Sequence, residues 1–382
     1  MKKLRILQVN KFYPPVIGGV EKVVQQVAEE IQNEFDVKVL VCQKKGPATD
    51  EMVNGISVHR SSSCGVFFSM PVSFSFLIDF RKLSKENDIV HIHMPFPMAD
   101  LACFLSGYKG KVVLWWHSDI IRQKVLMPFY KPLMHWLLNR ADAIVVATQG
   151  HIDDSKYLKY YAHKCVVIPF TLDRELFADA CSFLNEAPQK KENEISFLFL
   201  GRLVPYKGID VLLQAFADLN DLPARLIIAG MGPEEEKLRR LCAHLGIESK
   251  VTFTGIATEK EKYLLYRNCD VFVLPSITPN EAFGIVQLEA MAYGKPVINT
   301  ALPGCVPHVS LHRQTGLTVP PSNVASLASA MRELAQNADM RRQFGKAGAK
   351  RAADFTQNFK SKICNLYQSL MEGTNKGDEP HA

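Results

Sequence analysis

What most narrows the folds open to this chain is a repeated alternation of short apolar runs with longer amphipathic stretches. LRILQVN (4–10), VKVLVCQ (37–43), DIVHIHMP (88–95), KVVLWWHSD (111–119), AIVVATQ (143–149) and CVVIPFT (165–171) form a first series. ISFLFLG (195–201), ARLIIAG (224–230), KVTFTG (250–255), DVFVLPS (270–276), KPVINT (295–300) and GLTVPP (316–321) form a second. Such runs are too short for ordinary helices, and helical patterns lie between most of them. Strands that read as continuous apolar runs belong to parallel sheets covered on both faces. The expected class is therefore α/β, with two doubly wound, Rossmann-like halves facing each other across a cleft. Residues 1–175 would form the first half and 195–355 the second. The stretch 173–194 loses periodicity and gains charge, which predicts a linker. A last helix, 356–372, is expected to cross back to the first half, and 373–382 reads as a disordered tail. Open sheets of this kind bind ligands at the carboxyl ends of their strands.

Bulk composition excludes several classes. At 382 residues the chain can build two cores, and with 47% hydrophobic and 22% charged residues it reads as a soluble globular protein. Nine cysteines, an odd number with no close pairing, argue for free thiols in a reducing compartment and against a disulfide frame or a zinc site. The longest apolar stretch, 66–80, is broken by serines, Pro71 and Asp79 and is too short to span a bilayer. The N-terminus leads directly into a strand pattern, so a cytoplasmic location is expected. A net charge of +6 suits anionic small molecules or an anionic membrane surface as well as ordinary charge scatter does, and gives no case for nucleic acid.

Within the second series, PSITPNEAFGIVQLEAMAYGKPVINT (275–300) carries Glu281 and Glu289 around a Phe283-Gly284 step. Helical apolar spacing begins only after Gly284, which puts Glu281 in the entering loop and Glu289 inside the helix. Unpaired amides at a helix start favour an anion. A phosphate there, flanked by carboxylates able to hold hydroxyls, suits a nucleotide-sugar; a solvated glutamate before an amphipathic helix is the plain alternative for either residue alone.

Three glycine loops add to this. Gly18-Gly19 opens the first helix after the first strand, although without the G-x-G-x-x-G dinucleotide pattern. GRLVPYKG (201–208) places Arg202 and Lys207 at a strand end, where two cations can offset charge on a leaving diphosphate. In GMGPEEEKL (230–238) Gly232 could approach a nucleotide, or the turn could simply start a helix whose acidic residues complement its dipole. Two strand-end histidines, His93 and His117, have no partner at metal-ligand spacing. His117, after two tryptophans, is the better candidate for a sugar hydroxyl contact, and His91 reads as a packing residue.

Together these motifs resemble those of the retaining glycosyltransferases of family 4 (group 1), which have the GT-B fold. GRLVPYKGIDVLLQAF, IAGMGPEE, VTFTG, DVFVLPS, the Glu-x7-Glu element and TGLTVPP occur in that family's order; GGVE and the strand-end histidines extend the match into the first half. The resemblance implies that Arg202 and Lys207 bind the donor diphosphate. Glu281 would contact the donor sugar, Glu289 the ribose, and the Phe283-Gly284 backbone the phosphate. Gly18 and Gly19 would form the opposing phosphate loop, with His117 reaching the sugar. It also implies transfer with retention and no metal or other cofactor. One departure is that PGCVPHVS (303–310) carries His308 where the family has an acid, and Pro303 in place of a glycine.

The first half is similar to mannosyltransferases of bacterial surface polysaccharide (O-antigen, exopolysaccharide, lipopolysaccharide). GDP-mannose is accordingly the expected donor, with a UDP-sugar next, and a polyprenyl-diphosphate-linked saccharide the expected acceptor. Stretches 66–80 and 122–140 would rest on the inner face of the plasma membrane or pack inside the first half. A sugar-nucleotide epimerase and a non-catalytic sugar- or lipid-binding protein of the same fold are the rival readings.

Overall fold

In the computed structural model, which describes residues 3–16, 18–67, 70–119, 127–186 and 194–372, every one of the twelve apolar runs carries a strand. The chain divides into two compact units. Met1–Ala147, His151–Phe170 and the chain from Asn358 onward make the first; Thr148–Gly150 and Thr171–Gln357 make the second.

The first unit holds β1 (Arg5–Val9), β2 (Asp36–Cys42), β3 (Thr49–Val53), β4 (Ile56–Ser61), the small hairpin β5 (Gly65–Phe67) and β6 (Met70–Val72), then β7 (Ile89–Met94), β8 (Lys111–Trp116), β9 (Ala143–Val146) and β10 (Cys165–Val167). Its main sheet runs β10-β9-β8-β7-β1-β2-β4-β3, parallel throughout except for β3. The antiparallel β3–β4 pair has no two-run apolar signature, because β3 is solvated along its length. Its signal was the Asn54-Gly55 dipeptide, whose φ values of 50° and 83° suit a tight hairpin turn. The helix Phe359–Glu372 belongs to this unit and packs against Gly19–Ile31.

The second unit holds β11 (Ile195–Leu200), β12 (Ala224–Ala229), β13 (Val251–Gly255), β14 (Val271–Val273), β15 (Val297–Thr300) and β16 (Gly316–Val319). All pair in parallel in the order β13-β12-β11-β14-β15-β16. This is the doubly wound order that reverses between the first and fourth strands of the unit, so its ligand crevice belongs at the carboxyl ends of β11 and β14. Phe197, Phe199, Leu226, Ile228, Val273 and Ile298 anchor the core beneath.

The expected linker needs correction. Arg174–Asn185 is a helix, capped by the Asp173 side chain, which accepts from the amides of Glu175 and Leu176. Leu176 and Ala180 are buried one helical turn apart, a short apolar stripe that the surrounding charge hides from a reading of composition. Asp179 ties this helix to the unit by accepting from Arg267 at 2.7 Å and from Tyr293 at 2.7 Å. Of the remaining stretch only 186 and 194 are described, and the expected tail, 373–382, lies wholly outside the described residues.

Candidate active site

At the switch point of the second sheet, two loops are drawn together from far apart in sequence. After β11 the chain passes through a single 3₁₀ turn, Pro205–Lys207, to Gly208 at φ 64°. Gly208 lies so near the loop after β14 that a Cβ would sit 2.3 Å from the Pro275 carbonyl oxygen, so only glycine permits this approach. The amide of Ile277 donates to the Tyr206 carbonyl at 2.8 Å, pinning the two loops. Lys207 Nζ thereby reaches Glu281 Oε2 at 2.5 Å, and Ser276 Oγ donates to the same oxygen at 2.8 Å. Lys207, Glu281 and Ser276 are all buried. A buried charge pair of this kind persists only when both members are matched. Glu281 Oε1 makes no hydrogen bond among the described residues and is not sealed from solvent, which leaves it for an incoming hydroxyl.

Arg202, from the same loop, is exposed, with no ion pair among the described residues, so its guanidinium keeps all its donors for a ligand. Gly284, at φ 70°, starts the helix Ile285–Ala292 without a side-chain cap. The Phe283 ring is buried, so only backbone can serve a ligand here, and Gln287 Nε2 holds the Phe283 carbonyl at 2.8 Å. Glu289 sits in that helix but has different company: Tyr266 donates to its Oε2 at 2.7 Å, and Lys262 lies 3.4 Å from its Oε1. Burial works against charge on Lys262, yet Glu289 and Glu259 together raise its pKa. The two glutamates of the motif thus share no partner, and Ser276, Tyr266 and Lys262 are members that sequence spacing missed. Gly232 packs against backbone, where a Cβ would lie 2.2 Å from the Leu203 carbonyl oxygen.

In the first unit, Gly18 caps the Gly19–Ile31 helix with no side chain, and the Glu21 carboxylate folds back over it. His117 follows β8 and is buried; its Nε2 is 2.9 Å from His93 Nδ1. The β7–β8 register, which sets His93 opposite Trp115, brings these histidines together across 24 positions. A separate cavity of about 400 Å³, beside Lys3, Arg5 and Asp36, lies at the amino ends of β1 and β2, away from these groups.

The sequence itself decides the family. Residues 183–351 match the model described as glycosyl transferases group 1, and residues 17–176 the model described as glycosyltransferase family 4. An O-antigen chain mannosyltransferase C of Escherichia coli is 31% identical over 385 residues, covering 97% of this chain and 99% of the relative. The chain belongs to the group 1 glycosyl transferases. Another member, the D-rhamnosyltransferase WbpZ of Pseudomonas aeruginosa, is 34% identical over 345 residues, which cover 90% of each chain. Among solved structures, sucrose-phosphate synthase from Thermosynechococcus elongatus superposes with a TM-score of 0.77 at 22% identity, over 97% of this chain and 100% of the other. That likeness fixes the fold as GT-B, the class to which the two mainly parallel sheets of this group 1 glycosyltransferase belong.

Proposed function

We propose that this glycosyltransferase moves mannose from GDP-mannose, with retention and without a metal, to a polyprenyl-diphosphate-linked saccharide of an O-antigen or related bacterial surface polysaccharide. The observation that carries the reading is the Lys207–Glu281–Ser276 cluster with Arg202 beside it at the strand ends of β11 and β14. A diphosphate accepts from the two cations and from the open helix start at Ile285, while Glu281 Oε1 takes a hydroxyl of the sugar. Both cations then gain most where charge grows as the diphosphate departs. The acceptor hydroxyl attacks from that same face. The choice of mannose rests on the mannosyltransferase relative, which aligns over nearly the whole chain. D-rhamnose is the second reading, since the D-rhamnosyltransferase is the more identical of the two relatives, and the two sugars differ only at C6.

A thermal-shift series with GDP, UDP, ADP and their sugar conjugates, with and without magnesium, tests the donor. Binding to the native state raises the midpoint by mass action, about 2.7 kcal/mol at a hundredfold excess over Kd. GDP-mannose is expected to shift the midpoint equally with and without magnesium. A shift confined to UDP-sugars would replace the donor and keep the site; free isomerised sugar released without acceptor would favour an epimerase.

Membrane contact belongs to the same proposal. No helix among the described residues is long and apolar enough to cross a bilayer. Within 66–80, Phe76 and Phe80 are core residues, Phe74 is 76% exposed and Ile78 71% exposed; Phe68 lies outside the described residues. Phe129, on the helix Met127–Arg140, is 85% exposed, and residues 122–126 are not described. The exposed aromatics beside Arg81, Lys82 and Lys131 suit an anionic bilayer surface. Flotation with anionic liposomes at low salt should carry the protein upward. Protein left at the bottom of the gradient would remove the membrane from the proposal.

A further inference from the structure

Three polar side chains on one face of the first sheet, His117 just beyond β8 and Tyr367 from the last helix form a continuous buried chain of hydrogen bonds. Gln8 on β1 stands opposite His91 on β7, and His93 follows two positions later on the same face. Tyr367 comes down from the helix Phe359–Glu372. Gln8 Nε2 donates to the Tyr367 hydroxyl at 3.0 Å, and that hydroxyl meets His91 Nδ1 at 2.6 Å. On its other side Gln8 Oε1 meets His93 Nε2 at 2.8 Å, and His93 Nδ1 meets His117 Nε2 at 2.9 Å. The rings of His91, His93, Trp115, His117 and Phe170 stack, so none can turn away.

The direction of every link after Gln8 follows from proton counting. A carboxamide oxygen only accepts, so His93 Nε2 carries a hydrogen. Burial lowers the His93 pKa well below its usual value and the His117 pKa to about 3, so each ring holds one proton. His93 Nδ1 is then a lone pair, and His117 Nε2 must donate to it. That leaves His117 Nδ1 as a lone pair too. It makes no hydrogen bond among the described residues and is not one of the sealed buried atoms.

We propose that Gln8, acting through His93, holds His117 in its Nε2–H tautomer, so that His117 Nδ1 meets the substrate purely as a hydrogen-bond acceptor. Gln8, His93 and Tyr367 are positioning residues, and their product is selectivity. The His117 ring then accepts from a sugar hydroxyl and repels an ionised phosphate oxygen, which has no proton to give. Reversing the Gln8 amide would invert the whole chain and make His117 Nδ1 a donor, the opposite preference. The link to a sugar hydroxyl rests on the glycosyl-transfer reading; the tautomer does not.

Long-range proton–nitrogen NMR of the full chain, free of ligand, reads the tautomer directly. The expected spectrum has His117 Nδ1 as a pyridine-type and Nε2 as a pyrrole-type nitrogen, with the same assignment in His93. A pyrrole-type His117 Nδ1 overturns the proposal. Tyr367→Phe supplies the second arm, because it removes the hydroxyl that Gln8 Nε2 donates to at 3.0 Å and leaves that amide only its longer 3.4 Å contact with His91 Nδ1. It should mix the His117 tautomers and lower kcat roughly three- to tenfold, the worth of one hydrogen bond, with donor KM little changed. A Tyr367→Phe enzyme that loses only thermal stability, with tautomer and kcat unmoved, would reduce the chain to packing and overturn the positioning role. Absence of transfer from any nucleotide-sugar would sink the transferase reading while leaving the spectrum to judge the tautomer.

Discussion

Lys207→Ala is expected to slow turnover by roughly a hundred- to a thousandfold, the usual loss when one preorganised group facing developing charge is removed. Donor affinity should fall much less, since the ground-state diphosphate keeps Arg202 and the helix start. Equal losses in turnover and affinity would mean that Lys207 binds substrate and transition state alike. Stability supplies a control. Lys207 and Glu281 are both buried and 2.5 Å apart, and taking away one member strands the other charge, at a typical cost of about 3–5 kcal/mol. The double variant Lys207→Met/Glu281→Gln carries no stranded charge and keeps the acceptor for Ser276. It should melt near the wild-type temperature and remain as slow as the single variant. Recovery of both stability and turnover would assign the pair to the fold alone.

Asp100→Asn should change how stability responds to pH. Asp100 is fully buried; it accepts from the Tyr130 hydroxyl, and its Oδ1 has no partner. Burial pushes its carboxyl from 3.8 up to about 7, against the opposing pull of Tyr130 and Lys11. The native state therefore keeps a proton that the unfolded chain has released, and stability falls as pH rises between about 4 and 7. Over that window the penalty amounts to roughly 4 kcal/mol, at 1.36 kcal/mol per pKa unit. Below pH 4 both states hold the proton, and above pH 7 neither does, so the slope vanishes at each end. In denaturant melts from pH 4.5 to 8, the variant should gain on the wild type steadily up to neutrality and then stay ahead. A constant difference across that range would show that the carboxyl ionises normally.

The elements that local sequence could specify came through; those that needed distant partners did not. Apolar runs of six residues such as ISFLFL could only be buried strands, and the helix after Gly284 announced itself by its spacing. Charge concealed the helix Arg174–Asn185, although Asp179 within it and Glu186 just past its end are held in ion pairs by Arg267. The candidate residues were legible one by one, yet their grouping was not. Lys207 and Glu281 are 74 positions apart, and only the sheet order places them on the same strand ends. Glu289 lies only eight positions from Glu281, yet its neighbours Tyr266 and Lys262 come from a different helix and could not be read from that spacing. His93 and His117 failed every ligand-spacing test because their contact depends on strand register. Asp100 gave no signal at all, since a lone acid in an apolar helix has no pattern.

The first unit takes its opening strands from the start of the chain and its closing helix from beyond Asn358, with nearly all of the second unit threaded between. Synthesis runs from the amino terminus, so the ribosome delivers every residue of the second unit before it delivers Phe359 and Tyr367. Domains generally fold as units while they emerge. The half of the protein that is translated first is therefore the half that is finished last, and until then the Gln8 and His91 side chains wait without the hydroxyl that completes their network.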